Sequence, residues 1–345
     1  MEPIIGIDLG TCNSCVAAVV GRKAVALAQD NRTTVPTVFA MSNGQEIVGF
    51  EAKMQIVSNP FQTIHGIKRI LGRTFNSPQV RHAREAVSYD IIQGSAGEVR
   101  VRVEHLELTP VQIAGRILAH LKELAEADLQ QPVRRAVIAV PAHFGDAQRT
   151  AIKQAAELAG LEVLRLLNEP TASALAYSLQ GWGKRRIAVF DLGGGTFDFT
   201  LMDVHDRFFE ARATDGDSYL GGTDFDYEIV RWLVEQFQEK EGVNLALDRT
   251  ALLRLKLAAE RAKIELSEKQ EAFIDLPAIA TATRGGTHLR ETLTRDRVEQ
   301  LCRPYVVRCL EICERTIAAA KTWVNEIDEI VLVGGQTRMP LVERA

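Results

Sequence analysis

Ile4-Ile5-Gly6-Ile7-Asp8-Leu9-Gly10-Thr11 is answered far downstream by Ile187-Ala188-Val189-Phe190-Asp191-Leu192-Gly193-Gly194-Gly195-Thr196. Each is a short apolar run of the kind that forms a buried strand, and each ends in Asp-Leu-Gly before a small or hydroxylated residue. Glycine at a strand end permits close backbone approach, so successive N–H groups can point into one concavity and hold phosphate oxygens. The aspartate then sits where a cation would. Alone, either stretch reads more readily as an ordinary hairpin. Facing each other across a cleft, the pair would offer backbone donors to both sides of a polyphosphate. Asp8 and Asp191 would supply two carboxylates for a Mg²⁺ that keeps several waters. The second turn gives up strand packing for backbone access, since three glycines precede Thr196-Phe197-Asp198.

The echo implies two similar halves. Apolar runs at 4–9, 15–20, 136–140, 187–191 and 329–333 are expected to be buried strands. Helical patterns lie between them. Thr109-Pro110-Val111-Gln112 supplies an N-cap, an N1 proline and a capping-box glutamine, and Ile113, Ile117, Leu118, Leu121 and Leu124 follow at helical spacing. A second helix is expected from Asp146 to Gly160, and others near 227–241, 250–267 and 295–323, where Pro304 should kink the last. The alternation predicts an α/β protein. The boundary between its halves is expected in Gln180-Gly181-Trp182-Gly183-Lys184-Arg185-Arg186.

A chain of 345 residues is long enough for two lobes at roughly 150 residues each. With 46% apolar and 25% charged residues it has a globular composition rather than a disordered one. A net charge of −4 supplies no basic field for nucleic acid. Met1-Glu2-Pro3 opens neither a secretory signal nor a myristoylation site, and no apolar run is long enough to span a bilayer, so no membrane partner is expected. Five cysteines, an odd set, fit a reducing compartment and a cytoplasmic location, where the sequon Asn31-Arg32-Thr33 has no consequence.

Cys302, Cys309 and Cys313 share one face of the last long helix and read as core packing by free thiols rather than a metal site. The acidic stretch from Asp215 to Asp226 suggests a calcium loop, but Tyr219 and Leu220 occupy the places that need an oxygen ligand and glycine. Walker A, HExxH and GxSxG sequences are all absent. Glu260, Lys263, Ile264 and Ser267 lie at spacings of three and four on a helix, either as an acid, base and hydroxyl face beside an apolar wall or as a plain amphipathic surface.

Taken in order, these motifs resemble the seventy-kilodalton heat-shock protein chaperones, DnaK-like, of the actin and sugar-kinase superfamily. The match runs from residue 4 to residue 341. It comprises Ile7-Asp8-Leu9-Gly10-Thr11, Ile67-Lys68-Arg69 with Leu71-Gly72-Arg73, Val140-Pro141-Ala142 with Asp146-Ala147-Gln148-Arg149, Asn168-Glu169-Pro170-Thr171-Ala172, Asp191 to Asp198, Leu220-Gly221-Gly222 with Asp224-Phe225-Asp226, and Val333-Gly334-Gly335-Gln336-Thr337-Arg338-Met339-Pro340. The resemblance implies an actin-like ATPase fold with a duplicated core around a nucleotide cleft. Lobe I would span 1–180 with a subdomain inserted at about 38–109, and lobe II 181–345 with one at about 221–299.

It also implies roles. Gly10, Thr11, Cys12 and Asn13 match the first phosphate turn, and Gly193, Gly194, Gly195 and Thr196 the second. Lys68 matches a lysine that reaches the γ-phosphate and the attacking water, and Glu169 a carboxylate that orients water near Mg²⁺. Without the resemblance, Lys68 reads as a solvated helix charge and Glu169 as a helix-capping acid before Pro170. Asp8, Asp191 and Asp198 match aspartates around Mg²⁺, K⁺ and the nucleophilic water, with Asp191, Thr196 and Asp198 in the catalytic set. Gly222, Glu260, Lys263, Ile264, Ser267, Gly334, Gly335, Gln336 and Arg338 match the adenosine side. Pro141 and Arg149 match an interdomain relay, and Arg165, Asn168 and Thr171 a surface for a J-domain co-chaperone; a nucleotide-exchange factor would contact the second lobe.

Two departures stand out. Cys12 occupies a position where the family usually has threonine, forming Cys12-Asn13-Ser14-Cys15; the chain then turns straight into Val16-Ala17-Ala18-Val19-Val20, which argues against a redox pair. The sequence also stops at Ala345, so the resemblance implies that the return to the first lobe, the linker and the peptide-binding domain for unfolded clients lie outside it. The expected function is Mg²⁺-dependent hydrolysis of ATP, bound alternately with ADP, by the nucleotide-binding domain of a DnaK-type chaperone of protein folding and the stress response. Hydrolysis is expected to be slow. The alternatives are an actin-like filament former and a sugar kinase of the same superfold.

Overall fold

The computed structural model describes residues 2–28, 32–178, 183–205, 208–280 and 287–345. Residues 180–182 of the expected boundary and Asn31 of the sequon lie outside the described residues. The chain divides into two compact units, Met1–Gly181 and Trp182–Ala345.

Unit 1 begins with β1 (Ile4–Asp8), β2 (Asn13–Val20), β3 (Lys23–Ala26) and the two-residue β4 (Val35–Pro36). Next come β5 (Val38–Ser42), β6 (Gln45–Val48), α1 (Phe50–Met54), β7 (Thr63–His65), α2 (Pro78–Ala86), β8 (Asp90–Gln93), β9 (Val99–Val103) and β10 (Leu106–Leu108). It ends with α3 (Pro110–Leu129), β11 (Arg135–Val140), α4 (Asp146–Leu158), β12 (Glu162–Asn168) and α5 (Glu169–Ser178). The main sheet has the order β12-β11-β1-β2-β3, with β4 on β2; two three-stranded sheets, β6-β5-β7 and β10-β9-β8, lie between β4 and α3 in sequence. The pairs β1–β11 and β11–β12 are parallel, as strands joined through helices can be.

The capping box at Thr109 forms as its sequence predicts. Thr109 Oγ1 accepts from the Gln112 amide at 3.2 Å and Gln112 Oε1 from the Thr109 amide at 2.8 Å. Ile113, Ile117, Leu118 and Leu121 of α3 and Ala151, Ile152 and Ala155 of α4 form one core with Ile5 and Ile7 of β1. That cover reaches one face only. Ile4 is 43% exposed and Asp8 is exposed, so β1 alternates instead of being the wholly buried strand expected.

Unit 2 runs β13 (Arg185–Leu192), β14 (Phe197–His205), β15 (Phe208–Asp217), α6 (Gly222–Glu241), α7 (Arg249–Glu265), β16 (Glu271–Ala280), β17 (Thr287–Thr294), α8 (Arg295–Ala319), β18 (Glu329–Val333) and α9 (Pro340–Glu343). Its sheet order is β15-β14-β13-β18, and β16 and β17 form a separate hairpin. β13 is buried from Ile187 to Phe190 on both faces. β18 departs from the expected buried run: Ile330 is 62% and Leu332 45% exposed, because alternate side chains point to a face that no described element covers.

Helix α6 starts five residues before the expected 227. Asp224 Oδ2 accepts from the Gly221 amide at 2.9 Å and opens the helix there. Helix α8 runs through Pro304 and ends at Ala319 rather than 323, with Lys321 in the left-handed region. Cys302, Cys309 and Cys313 are buried in the unit 2 core, and burial pushes each thiol up to about 12. Among the described residues, no helix is long and apolar enough to cross a membrane.

Candidate functional site

Asp8 closes β1 and stands opposite Cys15 of β2 in the antiparallel register. Between them Gly10 turns so tightly that a Cβ there would collide with the Asn13 carbonyl oxygen, so only glycine fits. Thr11 is buried, Cys12 half-buried and Asn13 exposed. The turn is anchored from behind: the Thr37 amide donates to the Cys12 carbonyl at 2.8 Å, and the Ser14 and Thr37 hydroxyls are 2.8 Å apart. Cys12 and Cys15 are free thiols. Burial, and secondarily the Asp8 carboxylate, raises the Cys15 thiol above its ordinary value.

The same unit buries an ammonium. Lys68, on the single 3₁₀ turn Ile67–Arg69, is 5% exposed, and its Nζ lies 2.8 Å from Oε1 of Glu169, the first residue of α5. The Phe144 ring centroid is 5.9 Å from the same nitrogen. A buried ammonium is costly unless paired, so the solvated-charge reading of Lys68 does not hold. Beside this pair, Arg149 of α4 donates through Nη2 to Asn168 Oδ1 at 2.8 Å and to the Ala142 carbonyl at 3.3 Å, and through Nε to the Phe144 carbonyl at 2.9 Å. Arg149 thus ties the segment that follows buried Pro141 to the end of β12. Arg165 is exposed on β12 and takes no part in these bonds.

In unit 2, Asp191 and Asp198 are direct register partners across β13 and β14, and Asp198 is 3% exposed. This register sets two carboxylates side by side on one hairpin, a like-charge pairing. The Gly193 amide donates to the Thr196 carbonyl at 3.0 Å. The start of α6 closes on the turn from behind, with the Gly222 amide on the Gly193 carbonyl at 3.0 Å and the Thr223 amide on the Gly194 carbonyl at 2.8 Å. Gly221 approaches so closely that a Cβ there would lie 2.5 Å from Gly195 N. Each turn thus has a glycine where no side chain fits, Gly10 in the first and Gly221 packed against the second, and such close backbone approach suits a phosphate cradle.

The candidates for the adenosine side divide. On α7, Ile264 is 62% exposed and Glu260 half-buried; Ser267, just past the helix, donates from Oγ to the Lys263 carbonyl at 3.5 Å. Lys263 turns inward, its Nζ 2.7 Å from the Gly222 carbonyl and 2.8 Å from Asp226 Oδ1. Burial pushes the Asp226 carboxyl upward and the Lys263 ammonium pulls it back. Gly334 presses against the Leu192 carbonyl at the end of β13 and against Asp191. Gln336 is buried, while Gly335 and Arg338 are exposed on the 3₁₀ turn Gly335–Arg338.

Sequence reasoning passed over Gly221 and Asp226 as site residues. The first lay in a motif of the resemblance with no role attached, and its close approach to Gly195 is a tertiary contact. The second had a signal, an acid directly after Phe225 and three residues before Ile229 on the buried side of a helix. Two hairpins of one design, a buried lysine–glutamate pair and paired aspartates all fall within residues 4–345, the span over which the chain matches the model of the Hsp70 protein family. The chain belongs to the Hsp70 family and has its actin-like ATPase fold, the fold of a chaperone ATPase domain.

Proposed function

We propose that this chain is a DnaK-type nucleotide-binding domain that hydrolyses Mg²⁺-ATP and changes conformation with nucleotide state to control client binding. The observation that carries the reading is the buried Lys68–Glu169 pair, whose partners lie 101 residues apart in sequence and meet at 2.8 Å. An ammonium held in a water-poor site meets the negative charge that grows as a phosphoryl group is transferred. Glu169, anchored by that ammonium, would orient the attacking water and accept its hydrogen bond. The Gly10–Asn13 and Gly193–Thr196 turns would hold phosphate oxygens through backbone N–H groups.

Asp8, Asp191 and Asp198 would hold the cations, Mg²⁺ and K⁺. A divalent ion bound there supplies charge neutralisation on the polyphosphate. Glu260, Ile264, Ser267, Gln336 and Arg338 would take the adenosine, the arginine by stacking. Arg149, bonded to both Asn168 and the segment after Pro141, supports a relay toward a J-domain partner at Arg165, Asn168 and Thr171, with an exchange factor acting on unit 2 in the cytoplasm. Calorimetry with ADP in Mg²⁺ and single-turnover hydrolysis of ATP test the reading. Tight binding with slow turnover is expected, and no nucleotide binding in Mg²⁺ would overturn it.

A further inference from the structure

A cavity of about 680 Å³ opens in unit 1, with Ile70, Arg73, Val99, Val111, Glu157 and Leu158 on its wall, and it shares no residue with the phosphate turns. Its size and its largely apolar wall are those of a small-molecule site. Gly72 sets one side of it. That residue, in the left-handed region at φ 67°, packs the turn after Lys68 onto the start of α4, where a Cβ would lie 2.7 Å from Gln148 Cα. Glu157 and Leu158 line the cavity from the other end of the same helix, and the starts of β9 and α3 complete it.

Most polar groups on this wall already have partners. Thr109 and Gln112 close the capping box on each other, and the Glu98 carboxylate takes the Arg100 Nε at 2.7 Å and the Ala96 amide at 3.0 Å. Arg73 differs. It is half-buried, and its Nε is enclosed by protein without a hydrogen-bond acceptor. A donor shut away from water and left unpaired is costly, more so when it belongs to a charged group. The wall therefore presents a cation that lacks an anion, beside apolar surface.

We propose that this cavity binds a small molecule with an apolar body and a single carboxylate, the carboxylate on the Arg73 guanidinium and the body on Ile70, Val99, Val111 and Leu158. The planar guanidinium matches a carboxylate with two parallel hydrogen bonds. Glu98 and Glu157 on the same wall repel a second negative charge, so a monoanion is favoured over a phosphate. A free acid and the C-terminus of an apolar peptide both present this chemistry.

NMR titration of the methyl-labelled protein with phenylbutyrate, and separately with N-acetylphenylalanine, tests the proposal. Saturable shifts of the Ile70, Val99 and Leu158 methyls are expected, with a dissociation constant of a few millimolar, the ordinary efficiency of a ligand of about a dozen heavy atoms. The tighter of the two acids identifies a free acid or a peptide end as the source. Arg73→Gln should weaken binding by about fivefold or more, and phenylbutanol, which lacks the charge, should bind the wild type more weakly by a similar factor. Leu158→Glu places a carboxylate on the wall at an exposed position, so it should keep the fold and lose the acid, and it decides the matter if the Arg73 variant does not fold. Arg81→Gln, at an exposed position on α2, should bind within about twofold of wild type. Absence of a saturable shift overturns the proposal, as does equal affinity for Arg73→Gln, for Leu158→Glu or for the alcohol. An equal loss in Arg81→Gln overturns it as well, since that marks general attraction of an acid to a basic surface, and tighter binding of phenyl phosphate overturns the choice of a monoanion.

Discussion

The two hairpins repeat one backbone design with different chemistry at matching places. Asp8 faces Cys15 in unit 1, and Asp191 faces Asp198 in unit 2; Cys12 and Gly195 likewise occupy corresponding positions between the paired residues. The first turn is braced within its own surroundings by Thr37, whereas the second is braced by the first turn of a 20-residue helix. The first hairpin carries one carboxylate at its register pair. In the second, two directly opposed carboxylates, one of them almost fully buried, add a like-charge repulsion that the first hairpin lacks. The two hairpins thus share a geometry and differ in the charge placed on it.

The comparison breaks most readily at the glycines. Gly221→Ala would place a methyl group 2.5 Å from Gly195 N, and the backbone on both sides must then move. ADP affinity is expected to fall by about 100-fold or more, roughly 3 kcal/mol, by calorimetry. Gly10→Ala should match it, because the first turn collides with its own Asn13 carbonyl. An alanine tolerated at either position would mean that the two turns are not built alike.

Lys68→Ala should reduce single-turnover hydrolysis by about 100-fold, the scale of losing one charge-stabilising donor, with ADP affinity changed about threefold or less. A proportional loss of binding would place Lys68 outside the chemistry. Because the substitution also leaves Glu169 without its cation, the melting temperature should drop as well, and that drop is measured separately.

Cys15→Asp converts the first hairpin to the charge pattern of the second. It is expected to destabilise the protein by about 1 kcal/mol in chelator, as opposed like charges do, and to regain stability when Mg²⁺ is added. Thermal melts with and without the ion decide this, and a melt indifferent to Mg²⁺ would count against charge opposition as the difference between hairpins. The smallest effect is expected for Cys12→Thr. Gly195, its counterpart, can contribute backbone alone, so ADP affinity should stay within about threefold; a tenfold change, about 1.4 kcal/mol, would show that the Cys12 side chain participates.

Strands and helices were legible wherever periodicity and caps agreed. The Thr109 capping box and the Asp-Leu-Gly echo each gave a location that the fold keeps, and the cysteine face of α8 is buried as its spacing implied. What was not legible was cover. Apolar runs at β1 and β18 look alike in sequence to the run at β13, but burial depends on which helices and strands lie against each face, and that is a property of the whole unit. The same holds at the site. Lys68 and Glu169 are far apart in sequence and individually ordinary, so their pairing depends on tertiary structure. Lys263 was placed on the correct helix, but its spacing could not tell that its ammonium turns toward Gly222 and not to the helix surface.

The three thiols of α8 also set an order of oxidation. Burial holds these thiols far above the ordinary cysteine value, so almost none is ionised near neutral pH, and peroxide attacks the thiolate. Met54 is 75% exposed and needs no ionisation to become its sulfoxide, and Cys12 and Cys15 are only half-buried. Peroxide acting on the folded chain should therefore modify Met54, Cys12 and Cys15 well before Cys302, Cys309 or Cys313. The α8 cysteines would then become oxidised only as the core opens, so their modification in a peptide digest would record unfolding rather than exposure to oxidant.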